Sequence, residues 1–269
     1  MSWAAPSSNS QSEGLFCWRF SNEVNTLLTN HQGGPMACFV LVHGTGSGGW
    51  CWKKVAQLLR TGGNEVYTPT LSGVGDRSHL LKCGIDLSTH ITDVANLLFF
   101  EDLENVVLVG HSYAGMVITG VAARVPERLK FLVYLDAYVP EEGETERDLW
   151  PAKMRAEIEG DEAAGKGLRA PPSPAFLGII DPGLAEWYLA RVTAHPMATY
   201  DEPAPRGNAQ GAALPRMFIH CTQGPTAPVF APFAEKARSR GWPYHEIATG
   251  HEAMLIAPDQ VAAILLGVH

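Results

Sequence analysis

The sequence is poor in charge, and what charge it carries is mostly acidic. Only 18% of the 269 residues are charged, with 20 Lys and Arg against 28 Asp and Glu, a net charge of −8. No basic block or stripe is available to neutralise phosphates, which argues against a nucleic-acid partner and leaves an acidic, solubilising surface. No apolar stretch approaches the ~20 residues that a membrane-spanning helix needs. Cysteine is sparse: Cys17, Cys38, Cys51, Cys83 and Cys221 are an odd number without paired metal spacing. Several fall on predicted strands or helices, so the expectation is reduced, packed thiols in a cytoplasmic protein. No dinucleotide-type glycine fingerprint follows a strand, and the one glycine-rich turn lacks the Lys-Ser/Thr ending of a phosphate loop. No metal or organic cofactor is implied.

What is present is an alternation of apolar runs and amphipathic segments. Strands are predicted at 37–42, 65–68, 105–109, 130–135, 215–221 and 243–247, with helices at 50–61, 89–100, 113–124, 229–240 and 258–267. This is the α/β rhythm of a mostly parallel sheet flanked by helices. The rhythm breaks at 138–213, where helix-like segments, Glu144 to Glu159 and Gly183 to Thr193, are separated by Pro171-Pro172-Ser173-Pro174. That region reads as a cap inserted into a core of 36–137 and 214–269. Residues 1–35 are polar and lack the basic start, apolar centre and small-residue cleavage site of a signal peptide. Met36 immediately precedes the first strand, so 1–35 reads as a loose extension or a start assigned too far upstream. Leu15, Phe16, Trp18 and Phe20 leave room for a packed element there.

Three separated motifs carry chemistry. Gly110-His111-Ser112-Tyr113-Ala114-Gly115 follows the apolar run Val106–Val109 and opens a helical pattern, the strand, tight turn and helix that a nucleophile elbow requires. Ala114 stands where G-x-S-x-G has its second glycine, a departure of one methyl group, and Gly115 beside it keeps the helix start thin. Upstream, the strand Cys38–Val42 runs into His43-Gly44-Thr45-Gly46-Ser47-Gly48-Gly49-Trp50. The amides of Thr45 and Tyr113 are the natural donors for an oxyanion formed by attack of Ser112, and Gly44 is grouped with the substrate-binding positions. Near the C-terminus, His251 sits on a loop between the last predicted strand and the closing helix. Among ten histidines it is the one placed to act as general base, in the chain order nucleophile, acid, histidine.

These motifs, Phe39–Thr45 through Gly49-Trp50-Cys51-Trp52, Gly110-His111-Ser112 and Gly250-His251-Glu252-Ala253-Met254-Leu255, resemble the α/β-hydrolase superfamily. Within it they are similar to the plant methylesterase and hydroxynitrile lyase branch and its bacterial esterase relatives; Pro69 to Leu80 also resembles the bacterial subgroup. The resemblance covers about residues 36–268. It implies an α/β-hydrolase fold, a helical cap over the pocket and hydrolysis of an ester by water without a cofactor. In the plant relatives the triad acid follows the strand that here reads Met217–Cys221, but the matching segment is Thr222-Gln223-Gly224-Pro225, without a carboxylate. Asp136, at the tip of the strand Phe131–Leu135 beside the nucleophile strand, is the predicted acid. Glu141, Glu142 and Glu246 are weaker candidates, and Gln223 would be a neutral substitute.

The cap offers Trp150, Met154, Phe176, Leu177, Trp187 and Tyr188 as pocket walls, which predicts an apolar substrate group; for any one of them taken singly, burial of the cap against the core is the favoured reading. Two alternatives stay open. A hydroxynitrile lyase would use the same triad, but that branch has a threonine and a lysine where this chain has Gly44 and Glu252. A ligand-binding receptor with little turnover would keep the same fold. Lactone hydrolysis is a variant of the esterase reading. The oligomeric state is open, a homodimer included.

Overall fold

The computed structural model describes residues 36–82, 84–163 and 167–268. Residues 1–35, with Cys17 and the apolar positions noted there, lie outside the described residues, as do Cys83 and His269. Ala37–His269 forms one compact unit. The core strands are short and apolar because they are covered on both faces. They are β1 (Cys38–Val42), β2 (Glu65–Tyr67), β3 (Val106–His111) and β4 (Leu129–Leu135). Between and after them run helices α1 (Lys53–Thr61, entered through a 3-10 turn at Gly49–Trp52), α2 (Leu87–Phe100) and α3 (Ala114–Arg124). The cap follows: α4 (Glu146–Leu149), α5 (Ala152–Ala163), β5 (Leu168–Arg169), α6 (Pro182–Leu189), β6 (His195–Pro196), α7 (Ala198–Asp201) and α8 (Ala209–Ala213). The chain then completes the core with β7 (Arg216–Cys221), α9 (Ala227–Ser239), β8 (Tyr244–Ile247), α10 (Ala253–Ile256) and α11 (Pro258–Leu266).

Six strands form one parallel sheet in the order β2-β1-β3-β4-β7-β8. Alternate residues of each strand point to opposite faces. Val40, Val42 and Leu108 join α2, α3 and α9 in one apolar layer, while Phe39, Leu41, Val107 and Val109 join α1 and α11 in the other. The register pairs Val42 with Gly110, His111 with Leu135 and Leu135 with Ile219. The loops that carry Thr45, Ser112 and Asp136 therefore leave the sheet side by side at its carboxyl edge, where open parallel sheets assemble their sites.

The cap departs from its sequence expectation. The predicted helix from Glu144 to Glu159 is two helices, because Pro151 removes a backbone donor and forces Trp150 before it out of helical geometry. The second predicted cap helix begins at Pro182 behind an Asp181 cap and ends at Leu189, short of Thr193. A two-residue antiparallel ladder, β5 with β6, has no periodic signature in the sequence.

Candidate active site

The elbow forms because three neighbours crowd it. Ser112 has φ +56, a left-handed conformation that a non-glycine residue holds only when its surroundings enforce it. Its carbonyl accepts from Gly115 N (3.0 Å) and Tyr138 N (3.2 Å), and its amide donates to Leu135 O (3.3 Å). A Cβ at Gly115 would lie 1.9 Å from Tyr138 O, so glycine is required there, and the methyl of Ala114 is tolerated at the position before it. Gly44 packs on the elbow from the other side: a Cβ there would meet Ser112 Cβ at 2.9 Å. It is absent from the cavity lining and packs against Ser112 instead.

Asp136 is fully buried and accepts three hydrogen bonds. Its Oδ2 receives the Nδ1–H of His251 at 2.7 Å, and its Oδ1 receives His220 Nδ1–H at 3.0 Å and Cys221 N–H at 3.1 Å. A carboxylate held by three donors is fixed in orientation. Since Nδ1 of His251 donates to Asp136, its Nε2 is the nitrogen free to act as base. The His251 ring stacks on Phe230 with centroids 4.6 Å apart and planes at 11°, and its carbonyl accepts from His111 Nε2 at 3.0 Å. Burial lowers the His111 pKa well below the ordinary value, leaving it a neutral donor that braces the histidine loop. The other acid candidates are engaged at the surface: Glu246 with Arg238 and Tyr244, Glu141 with Lys236 and Arg240. Glu142 is exposed beside Arg206, and Gln223 is exposed.

The glycine-rich turn after β1 is held by buried histidines. His43 accepts from Leu71 N at Nε2 (3.0 Å) and so donates from Nδ1 to Gly44 O (2.9 Å). From the cap, His195 Nδ1 accepts the Gly46 amide (3.0 Å), while Thr193 N donates to Gly46 O (2.9 Å). Tyr200 Oη donates to Thr45 Oγ1 at 3.0 Å. Burial pushes both His43, to about 4, and His195 down, so each stays a neutral acceptor. The Thr45 and Tyr113 amides donate to no acceptor among the described residues. The Tyr113 side chain is buried away, its hydroxyl donating to His90 Nδ1 at 2.8 Å while His90 Nε2 donates to Ser72 O.

One cavity collects Thr45, Ser112 and His251 with His111, Tyr138, Thr226, Val229 and Phe230 from the core. The cap adds Glu146, Met154, Arg169, Pro172, Phe176, Leu177 and Tyr188, and the histidine loop adds Glu252. Phe176 and Tyr188 therefore stand where the sequence placed them. Trp150 and Trp187 do not: Trp150 packs edge-on to Tyr200 inside the cap and Trp187 edge-on to Trp50. The expected apolar wall also carries charge-bearing groups. Burial pushes the Glu146 carboxyl up to about 8 against the opposing pull of the Trp150 N–H and Arg169, and Glu252 up to about 7 against the charge of His251. Glu146 Oε2, Tyr188 Oη, Thr226 Oγ1 and Glu252 Oε2 are buried on this lining without a hydrogen-bond partner among the described residues. Sequence reasoning missed His220, Glu146, Arg169 and His195. The signal for His220 was its place next to the end of β7, beside the strand that ends at Asp136; for the cap residues there was none.

A family profile described as the alpha/beta hydrolase family matches residues 39–264. The chain belongs to that family. The hydrolase is 38% identical over 236 residues to a carbendazim hydrolyzing esterase of Nocardioides sp., covering 84% of this chain and 97% of that protein. It is 34% identical to methylesterase 1 of Arabidopsis thaliana, over 38% of this chain and 40% of that one. Among solved structures, an extracellular alpha/beta-hydrolase from a Paenibacillus species superposes with a TM-score of 0.75 at 24% identity, covering 86% of the hydrolase and 98% of that chain. An Arabidopsis methylesterase superposes with a TM-score of 0.67 at 22% identity, covering 86% and 98%. At those identities the structures establish the fold.

Proposed function

We propose that the hydrolase is a serine esterase that cleaves a small carboxylic ester or lactone through an acyl-enzyme. Membership in the family and kinship with named esterases make it a carboxylic ester hydrolase. The observation that carries the serine mechanism is the buried 2.7 Å bond from Asp136 to Nδ1 of His251, which lines the same cavity as Ser112. His251 Nε2 takes the Ser112 proton as Oγ attacks the carbonyl carbon. The Thr45 and Tyr113 amides receive the oxyanion, with removal of one such donor costing about 3 kcal/mol in enzymes of this kind. The imidazolium, stabilised by Asp136, returns the proton to the leaving alcohol. Water then attacks the acyl-enzyme with His251 again as base and frees the acid. His220 is a positioning residue that holds the second carboxylate oxygen. The cytoplasm is the proposed compartment, supported by free Cys38, Cys51 and Cys221, the last two buried. Among the described residues no helix is long and apolar enough to cross a membrane.

The test is hydrolysis of p-nitrophenyl esters, acetate to octanoate, by the wild type and Ser112→Ala, with mass spectrometry of the protein after an aryl phosphonate. Turnover and a single adduct on Ser112, both lost in the variant, are expected. Full activity in the variant, or a folded wild type inert toward every ester and lactone offered, overturns the proposal.

A further inference from the structure

The cap end of the cavity holds a carboxyl group that acyl transfer does not use. Glu146 is 1% exposed and lines the cavity. Its Oε1 accepts from Trp150 Nε1 at 3.1 Å, while Oε2 is buried without a partner among the described residues. The ionisable groups around it are Arg169, whose guanidinium lies 5.6 Å over the rings of Trp150 and Tyr200, and the hydroxyls of Tyr113, Tyr138 and Tyr200. A buried carboxyl oxygen left unmet is costly, and a ligand that donates to it recovers that cost on binding. An acceptor-only substrate, such as a simple alkyl ester, is already served on this lining by the Arg169 guanidinium and the Tyr188 and Thr226 hydroxyls. At the cap end Glu146 alone supplies an unmet carboxyl oxygen, which accepts without donating once the group is ionised.

We propose that Glu146 is a specificity residue that accepts a hydrogen bond from an N–H or O–H group of the substrate, so that the preferred ester carries a donor in the part lying under the cap. The esterase reading supplies the word ester; the recognition itself is a binding property and needs no turnover. Trp150 holds one oxygen of Glu146, so in Glu146→Gln the amide carbonyl keeps that bond and the NH2 takes the place of Oε2. The variant then presents a donor where the ionised wild type presents an acceptor.

The experiment is calorimetric titration of the full chain carrying Ser112→Ala with the methyl esters of 3- and 4-aminobenzoate and 3- and 4-hydroxybenzoate. Each is compared with the methyl ester of the corresponding methylbenzoate, where a methyl group replaces the donor at nearly equal size. At least one aminobenzoate ester is expected to bind about 10-fold tighter than its methyl counterpart at pH 9, where the Glu146 carboxyl is ionised and its unmet oxygen can only accept. The amino and hydroxy arms show which donor is preferred. For the aminobenzoates the advantage grows as pH rises through about 8, where the carboxyl ionises; the hydroxybenzoates are compared no higher than pH 8, because their own phenol ionises above it. Adding Glu146→Gln should abolish or invert the preference, and Glu146→Leu, which removes both donor and acceptor, should bring it to unity. Equal or undetectable binding of every donor and methyl pair, or a preference unchanged by both Glu146 variants, overturns the proposal. Because Ser112→Ala is used throughout, these outcomes stand apart from success or failure of the esterase test.

Discussion

The core buries a carboxyl group behind His251, and the cap buries one on the cavity lining itself; the two are treated in opposite ways. Asp136, at the tip of β4, receives three donors, one of them from the histidine it orients. Glu146, on the first turn of α4, receives one and leaves an oxygen unmet. The first arrangement fixes both oxygens in place by hydrogen bonds within the protein; the second stores a desolvation cost that a ligand can relieve. The difference follows from the scaffold. Asp136 is flanked by a parallel strand whose own backbone supplies the Cys221 amide, whereas the cap is assembled from short helices that bring few free amides to any one point.

The sharpest test of the contrast is at Asp136. Asp136→Asn should lower kcat about 10⁴-fold with the fold retained, because the amide can impose the wrong imidazole tautomer and cannot stabilise the imidazolium. Gln223→Ala and Glu246→Gln should leave kcat within about twofold in the same assay, since the first is exposed and the second is a surface partner of Arg238. A loss below tenfold at Asp136 would dissolve the distinction between the two carboxyl groups. Next in size is Gly115→Ala, whose methyl would fall 1.9 Å from Tyr138 O. Destabilisation on the order of 2–4 kcal/mol is expected by denaturant titration, with no counterpart for changes of the same size in the exposed parts of the cap.

Glu146 sharpens the comparison through pH. Its folded-state pKa, about 8, lies above the ordinary 4.5, so the folded protein keeps a proton that the unfolded chain has lost. Stability is therefore lost as pH rises from about 4.5 to about 8, by an amount on the order of a few kcal/mol. Glu146→Gln removes this dependence, so its Tm should match the wild type near pH 5 and exceed it near pH 9; parallel Tm curves would show that the carboxyl is not buried in the way described. The smallest effect is expected at the latch between cap and core. Tyr200→Phe deletes the bond to Thr45 Oγ1 and should cost about 1 kcal/mol in stability and a few-fold in kcat, measured by thermal unfolding and ester turnover.

Much of this molecule follows from local pattern. The apolar runs that end at Val42, Val109 and Leu135 and the alternation around them specify a parallel sheet, since only a sheet covered on both faces uses strands with no polar side. Ser112, His251 and the turn at Thr45 are legible because each motif is continuous in sequence and each depends on small residues whose purpose is local. Asp136 lies one step further from local pattern, through strand adjacency. What tertiary structure alone decided is where non-contiguous side chains meet. His220 reaches the second oxygen of Asp136 only because β4 and β7 pair in one register. His195 grips Gly46 across 149 residues. Trp150 turns into the cap instead of the cavity, and Glu146 turns toward it, because Pro151 breaks the helix that both would otherwise share. Sequence periodicity records which face of an element is apolar; it holds no record of which buried polar groups will face one another once the elements pack, and the chemistry of the cap depends on that.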